Sequence, residues 1–576
     1  MFNLARKRLS AAAVAGALIF MIIQVFCDLN LPNLTSDMIN KGVAVGDISY
    51  IWQVGRKMIV IAFIGLLAAA GNVYFASTQA QKLGTKLRAE LFEKVLNFGS
   101  HEIDQFGASS LITRTTNDVL QIQNVTIMAL RMMIQSPIML IGAGVMAYLS
   151  ERKLTTVFLV SLPLLAVAVG IVMYYAVPLF KSLQKKTDRI NLVFREGLTG
   201  VRVIRAFRRD QFEQDRFKAA NKSYTDTAIK AFSLVSIMFP VMTLVLNGTN
   251  IGIIWIGGKL ISNRSMEVGN LVSFMTYAAM ILFSFMMLSM VFVFIPRAQA
   301  AAARIQEVLQ TQDSVKDISN AQQLKAKEKH ELIFDHADFR YDHAEKLALQ
   351  NVNFAMKSGQ TLAVIGGTGS GKSTLVNLIP RLYDLEKGKI TLDGTDIAQV
   401  TQNSLHQQIA FVQQKAVLFH GTIRSNLKYG KPDATDDQMW RALEIAQAKD
   451  FVVGLPNGLD SLVEHGGANF SGGQRQRLAI ARAVIKPAAV YVFDDSFSAL
   501  DFKTDAKLRA ALKADPQIKK GIVIIVAQRI ATVTQADQII VLDGGQIVGQ
   551  GTHAELKATN PTYQEIMHSQ LREGEI

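Results

Sequence analysis

Six predominantly apolar segments, at about residues 11–27, 58–78, 132–149, 154–178, 233–261 and 268–296, constrain this chain more than any other feature. Each has roughly the length that crosses a hydrocarbon core of about 30 Å as a helix. Inside such a core every backbone N–H and C=O must find a partner within the segment, so membrane-spanning helices are expected. The fifth segment is the loosest, because Gly248, Gly252, Gly257 and Gly258 lighten it and Lys259 marks its end. The first, ARKRLSAAAVAGALIFMIIQVF, also has the basic start and apolar core of a signal peptide. No small-residue cleavage pattern follows Cys27, where the chain reads DLNLPNLTSD, and five more spans follow, so an uncleaved helix is expected. Divided in this way, no charge lies deep in a span, which argues against a proton relay or a dedicated ion path.

The formal charge of +14 fits nucleic acid, an anionic membrane surface or the inner loops of a membrane protein. Its distribution decides between them. Lys82, Lys86, Arg88, Lys94 and Arg114 lie between the second and third spans, and thirteen Lys and Arg crowd the stretch from Lys181 to Lys230. The opposite loops carry little, namely Lys41, Arg56, Arg152, Lys153 and Arg264. The positive-inside rule then puts both termini and both long loops in the cytoplasm, and no nucleic-acid partner is expected. Cys27 is the only cysteine, which excludes an intramolecular disulfide framework and a Cys-based zinc site.

The long loops repeat apolar residues at helical spacing in LRAELFEKVLNF and VRVIRAFRRDQFEQDRF. They read as helical hairpins with solvated basic faces, or as spans prolonged beyond the membrane to dock on a cytoplasmic domain. After Arg297 the chain turns polar: AAARIQEVLQ looks like a helical exit, and DSVKDISNAQQLKAKEKHE like a charged linker. From about residue 331 short apolar strands alternate with helical segments, the pattern of an α/β domain with a largely parallel sheet. The expected organisation is a six-span α-helical membrane domain over 1–305, a linker over 306–330 and an α/β domain over 331–576.

The chemistry is concentrated in that last domain. TLAVIGGTGSGKSTLVNLI, residues 361–379, fits G-x-x-x-x-G-K-[ST] with Gly366, Gly371, Lys372 and Ser373, between an apolar strand and a helix. Such a loop, here including Gly369, Ser370 and Thr374, wraps backbone N–H groups around the phosphates of ATP. Lys372 would reach the outer phosphates and the Ser373 hydroxyl would take a Mg²⁺ position. Asp494, at the end of the apolar AVYVF, is the matching acid on a strand tip aimed at that magnesium.

NFSGGQRQRLAIARA, residues 469–483, resembles the signature of ABC transporter ATPases through Ser471, Gly472, Gly473 and Gln474. In that family the signature caps ATP bound to the opposite subunit. The resemblance extends to Tyr341 in DFRY as the adenine-stacking aromatic and to Gln414 as the glutamine that senses magnesium and water. It includes VEHGG as the loop facing the membrane helices, and SALD with Asp501 as the D-loop. Six spans, LITRTTNDV and REGLTGVRVIRAF complete the likeness to an ABC exporter half-transporter. What the likeness implies is a P-loop ATPase fused to an exporter-type membrane domain in the bacterial cytoplasmic membrane. It further implies assembly as a dimer, because each site needs the other chain's signature.

Two positions depart from the family pattern. Asp495 stands where the family has a catalytic glutamate, and Gln528 in VIIVAQRIATV where it has a switch histidine. Aspartate is one methylene short of the attacking water, on the order of 1 Å, which can cost ~10²-fold in rate. Neutral glutamine can hydrogen-bond but cannot relay a proton. With Lys372, Ser373 and Asp494 retained, this pattern resembles the degenerate-site chain of a bacterial heterodimeric exporter, many of which are multidrug pumps. The partner would be a second half-transporter with a complete site, and the cargo a lipophilic small molecule. Phe283, Phe285, Met286, Met287 and Met290 are candidate cavity-lining residues, with lipid contact or helix packing as the alternative. A homodimeric lipid or peptide exporter and an ATP-gated channel or regulatory subunit are the competing readings.

Overall fold

The structure, a computed structural model, describes residues 2–325, 327–342 and 344–574. Its contacts divide the chain into two units. Unit one comprises Met1–Lys94 and Ser109–Thr311; unit two comprises Val95–Ala108 and Gln312–Ile576.

Unit one is helical. Among the described residues, six helices are long and apolar enough to cross a membrane: Ala11–Val43, Ile48–Leu96, Ala108–Ser150, Leu154–Thr199, Asp210–Ser262 and one beginning at Val268, whose helix runs on to Gln310. The second has 49 residues and the fifth 53, so at 1.5 Å per residue each reaches about 75 Å, more than twice a hydrocarbon core. The prolonged-span reading of the basic loops therefore holds for their helical extent. Many large apolar side chains, Phe26, Ile59, Phe63, Leu159 and Trp255 among them, face outward, as a lipid-covered surface requires.

The first span corrects the sequence reading. It does not stop at Cys27 but continues as α-helix through Asp37 and as π-helix over Met38–Val43, with Pro32 inside it. DLNLPNLTSD falls outside the expected span because it interrupts the apolar run with proline and short polar residues. Within the bundle those polar side chains return to their own helix: Asn30 Nδ2 donates to the Phe26 carbonyl at 2.7 Å and Thr35 Oγ1 to that of Leu31 at 2.9 Å. Asp28 consequently lies inside a span, contrary to the expectation of charge-free spans.

Of the proposed cavity residues, Phe283 is exposed, whereas Phe285 packs against Leu165, Val245 and Leu282. Met286 and Met287 are partly exposed, and the Met290 side chain lies outside the described residues.

Unit two is the α/β domain. Its strands are β1 (Glu331–Phe339), β2 (Leu349–Lys357), β3 (Thr361–Gly366), β4 (Lys387–Leu392), β5 (Thr395–Asp396) and β6 (Ile409–Val412). Then come β7 (Gly421–Thr422), β8 (Leu462–Val463), β9 (Val490–Asp494), β10 (Ile522–Val526), β11 (Gln538–Asp543) and β12 (Gln546–Gly551). The main sheet runs β12-β11-β3-β10-β9-β6, and only β12 is antiparallel to its neighbour. β9 and β10 are buried along their whole lengths, which is why VYVF and IVIIV are continuously apolar instead of alternating. β1, β2, β4 and β5 form a second, antiparallel sheet. The short helix Ser100–Phe106 joins this unit through Glu102, a buried carboxylate that accepts from the Ser314 backbone N–H at 2.8 Å and from its hydroxyl at 3.2 Å.

Candidate nucleotide site

Ligand sites in parallel α/β sheets form beyond the carboxyl ends of the strands. Here four neighbouring parallel strands deliver the predicted residues to one edge. β3 ends at Gly366, β9 at Asp494 with Asp495 following, β10 two residues before Gln528, and β6 two residues before Gln414.

The loop after β3 leads into the helix Lys372–Leu378. Gly369 and Gly371 hold φ of 82° and 100°, a region open to glycine at little cost. A Cβ on Gly371 would also stand 2.9 Å from Leu349. The Lys372 ammonium donates to the carbonyls of Gly366 at 2.9 Å and Gly367 at 2.6 Å. Burial pushes its pKa down, opposed by the nearby Asp495 and Asp494 carboxylates. Ser373 Oγ donates to Asp494 Oδ1 at 3.1 Å, so the hydroxyl and the strand-tip acid share one point. Burial raises the Asp494 pKa, with the Ser373 hydrogen bond acting in the other direction.

Asp495 is 7 % exposed and sits at φ 45°, a left-handed conformation uncommon for a residue with a Cβ. Its N–H donates to the Val526 carbonyl at 3.1 Å, fixing the turn after β9 to the end of β10. Two side-chain amides converge on its Oδ2: Gln528 Nε2 at 2.8 Å and Gln414 Nε2 at 3.2 Å. Burial raises its pKa, while hydrogen bonds from Gln414, Ser498 and Gln528 and the charge of Lys372 pull the other way. The predicted Gln414 thus meets Asp495, whereas Ser373 meets Asp494.

Tyr341 keeps 37 % of its surface exposed and is braced edge-on by Tyr383 and Phe339, with its hydroxyl 2.9 Å from Thr374 Oγ1. The predicted signature caps the helix Gly472–Val484: Gln474 N–H donates to Ser471 Oγ at 3.2 Å, and Ser471 N–H to Gln474 Oε1 at 2.9 Å. This reciprocal pair is a capping box. Gly473 lies against the Ala499 carbonyl, where an added Cβ would stand 3.2 Å away, so the signature turn abuts the SALD segment. Asp501 caps the following helix, Phe502–Ala514, through the Thr504 N–H at 3.0 Å; that hydrogen bond holds its pKa below the usual value.

Sequence reasoning missed one participant. Gln570, on the C-terminal helix Pro561–Gly574, donates to the Gln528 carbonyl at 2.6 Å and accepts from the Ile530 N–H at 2.8 Å. Nothing local in TYQEIMHSQLREG marks that glutamine; only the fold returns it to β10.

The ABC transporter transmembrane region profile matches residues 14–286, and the ABC transporter profile matches 349–498. An uncharacterized ABC transporter ATP-binding protein of Mycobacterium tuberculosis (strain CDC 1551 / Oshkosh) is 42% identical over 561 residues, 97% of this chain and 96% of that protein. YfiB of Bacillus subtilis (strain 168), an uncharacterized ABC transporter ATP-binding protein, is 36% identical over 97% of this chain and 96% of its own length. An ATP-dependent lipid A-core flippase of Albidiferax ferrireducens is 30% identical over the same shares. The solved structure of a bacterial Atm1-family ABC exporter with ATP bound superposes with TM-score 0.81 at 25% identity, covering 97% of this chain and 99% of that one. The fold and the site define an ATP-driven membrane transporter. The chain belongs to the ABC transporter family, as an exporter-type half-transporter with six apolar helices and one ATPase domain.

Proposed function

We propose that this chain is one half of a heterodimeric exporter of hydrophobic compounds, and that its own nucleotide site binds ATP but hydrolyses it slowly. The observation that carries this is the double amide contact on Asp495. With Gln414 and Gln528 both donating to Oδ2, the oxygen is drawn toward two neutral groups that cannot accept a proton from water. Loss of a working general base typically slows such a step by about 10²–10⁴-fold.

In this reading Gly366, Gly369, Ser370, Gly371, Lys372 and Thr374 receive the phosphates, and Tyr341 offers its exposed ring to the adenine. Ser373 and Asp494, hydrogen-bonded to each other, fit a Mg²⁺ that keeps phosphate and water among its ligands, with Gln414 adjoining. The ion supplies charge neutralisation at the phosphates. Ser471, Gly472, Gly473, Gln474 and Asp501 serve the partner's nucleotide, and the positive-inside pattern puts both termini in the cytoplasm.

ATPase activity of the chain alone and mixed with its partner half-transporter tests the reading. Hydrolysis confined to the mixture and abolished by Ser471→Ala is expected. Brisk hydrolysis by the chain alone would sink it. A homodimeric lipid exporter is the second reading, favoured by the lipid A-core flippases that align with nearly the whole chain at 30% and 31% identity. Uphill, ATP-dependent dye uptake into inverted vesicles would exclude the remaining alternative, a gated channel.

A further inference from the structure

Asp28 lies within the membrane-spanning stretch of the first long helix, well inside the charges that bound the neighbouring spans. Three neighbouring spans fix its level. A Cβ on Gly65 of the second span would stand 3.2 Å from that of Cys27. One on Gly142 of the third would meet Leu29 at 2.5 Å, and the Tyr277 hydroxyl of the sixth donates to the Leu29 carbonyl at 2.9 Å. Gly65, Gly142 and Tyr277 are each eight to ten residues from the charge that closes their span, Lys57, Glu151 and Glu267, all on the side away from the N-terminus. At 1.5 Å per residue these separations are about 12–15 Å, half the thickness of a hydrocarbon core.

At that level the chain gathers acceptors without a cation. Asp28 falls on the stripe of Met21, Val25, Pro32 and Ser36, which are buried, and is itself half-buried. Gln24, one turn earlier, is its polar neighbour, and among the described residues no Lys, Arg or His pairs with it. Pro32 lacks the N–H that the Asp28 carbonyl would ordinarily accept, so a second acceptor stands next to the carboxylate. Ionisable groups at this depth are costly and belong, as a rule, to a substrate or ion path.

We propose that Asp28 and the Pro32-released carbonyl form a binding site for the cationic, N–H-bearing head of a lipophilic amine carried by this transporter. The inference rests on the export reading above and names the cargo class. The carboxylate supplies the countercharge, the carbonyl an acceptor, and the surrounding apolar side chains the environment for the cargo's hydrocarbon.

Equilibrium binding to the full-length chain in nanodiscs tests this with two fluorescent probes: ethidium, a lipophilic cation bearing amino N–H groups, and uncharged Nile red. Asp28→Asn should weaken ethidium binding by about tenfold or more, while Nile red changes less than about twofold. Asp28→Glu should retain ethidium within about threefold, and Pro32→Ala, which returns the N–H, should weaken it by several-fold at unchanged Nile red affinity. Equal ethidium affinity in wild type and Asp28→Asn overturns the proposal, as does a parallel loss of both probes. If Asp28→Asn does not fold, unaltered ethidium binding by Pro32→Ala overturns it. ATP-driven Nile red uptake tests export separately, so a chain that transports Nile red but ignores Asp28 loses this site and keeps its exporter role.

Discussion

The side-chain amide of Gln528 donates to Oδ2 of Asp495 at 2.8 Å, on the same oxygen that Gln414 reaches at 3.2 Å. Lengthening the acid alone leaves that glutamine in place. Asp495→Glu should therefore change hydrolysis at this site by less than about threefold, whereas Asp495→Glu with Gln528→His should raise it by about 10²-fold. Single-turnover hydrolysis in the assembled transporter, with the partner's own base removed, measures this. Full rescue by Asp495→Glu alone would contradict the account.

Ser471 caps its helix, and the proposed function gives it a second duty that can be tested separately. As a helix cap its loss costs about 1 kcal/mol, which for a domain of this size moves Tm by a few degrees. If, as proposed, it also donates to the partner's nucleotide, its loss should cost the mixture about 10²-fold or more in ATPase rate. A Ser471→Ala protein that melts slightly early yet still hydrolyses briskly with its partner would show the signature to be idle.

Gln570 clasps the backbone on both sides of Arg529. Gln570→Ala removes two hydrogen bonds worth about 0.5–1.5 kcal/mol each. Amide exchange over residues 528–531 should then accelerate about tenfold while β10 stays protected. Global acceleration, including Ile522–Val526, would point instead to general destabilisation.

Asp495 also sets a pH dependence. Its folded pKa is raised, chiefly by burial, so the folded chain binds the proton more readily than the unfolded one. Stability then falls as pH rises from the ordinary aspartate range through the raised value, and the penalty is fully present above it. Asp495→Asn, which stays neutral, should melt higher than wild type at pH 7.5, and the gap should close as pH drops into the range where Asp495 protonates. A gap that widens on acidification would reverse the assignment.

In unit one, Asp118 is 4 % exposed in its side chain and takes both arms of the Arg304 guanidinium, at 2.6 and 2.8 Å. Arg304→Ala leaves that carboxylate buried and unpaired, which should cost about 3–5 kcal/mol. Thermal unfolding of the detergent-solubilised chain checks it, and Asp118→Asn with Arg304→Ala should recover part of the loss. A single variant that melts like wild type would mean that water reaches Asp118.

The spans and the phosphate loop were legible because their signals are local. A run of apolar residues must bury its backbone as a helix wherever it sits in a bilayer, and Gly366 to Ser373 need only their own dihedrals to form a loop. The strand ending at Asp494 was readable for the same reason, as an unbroken apolar run bounded by polar residues. What residues 28–37 do was not legible. Pro32 and its polar neighbours break a helix in water, and only the adjoining spans hold them helical and carry Asp28 into the membrane. The convergence of Gln414 and Gln528 on one oxygen of Asp495, and the reach of Gln570 back to Gln528, likewise depend on strand order and on the return of the C-terminal helix. Sequence determined which groups this protein has to work with, because composition and short-range geometry are written residue by residue. Only the tertiary structure decided which of them meet, because hydrogen bonds between residues 81 or 42 positions apart exist only once the sheet has fixed its register.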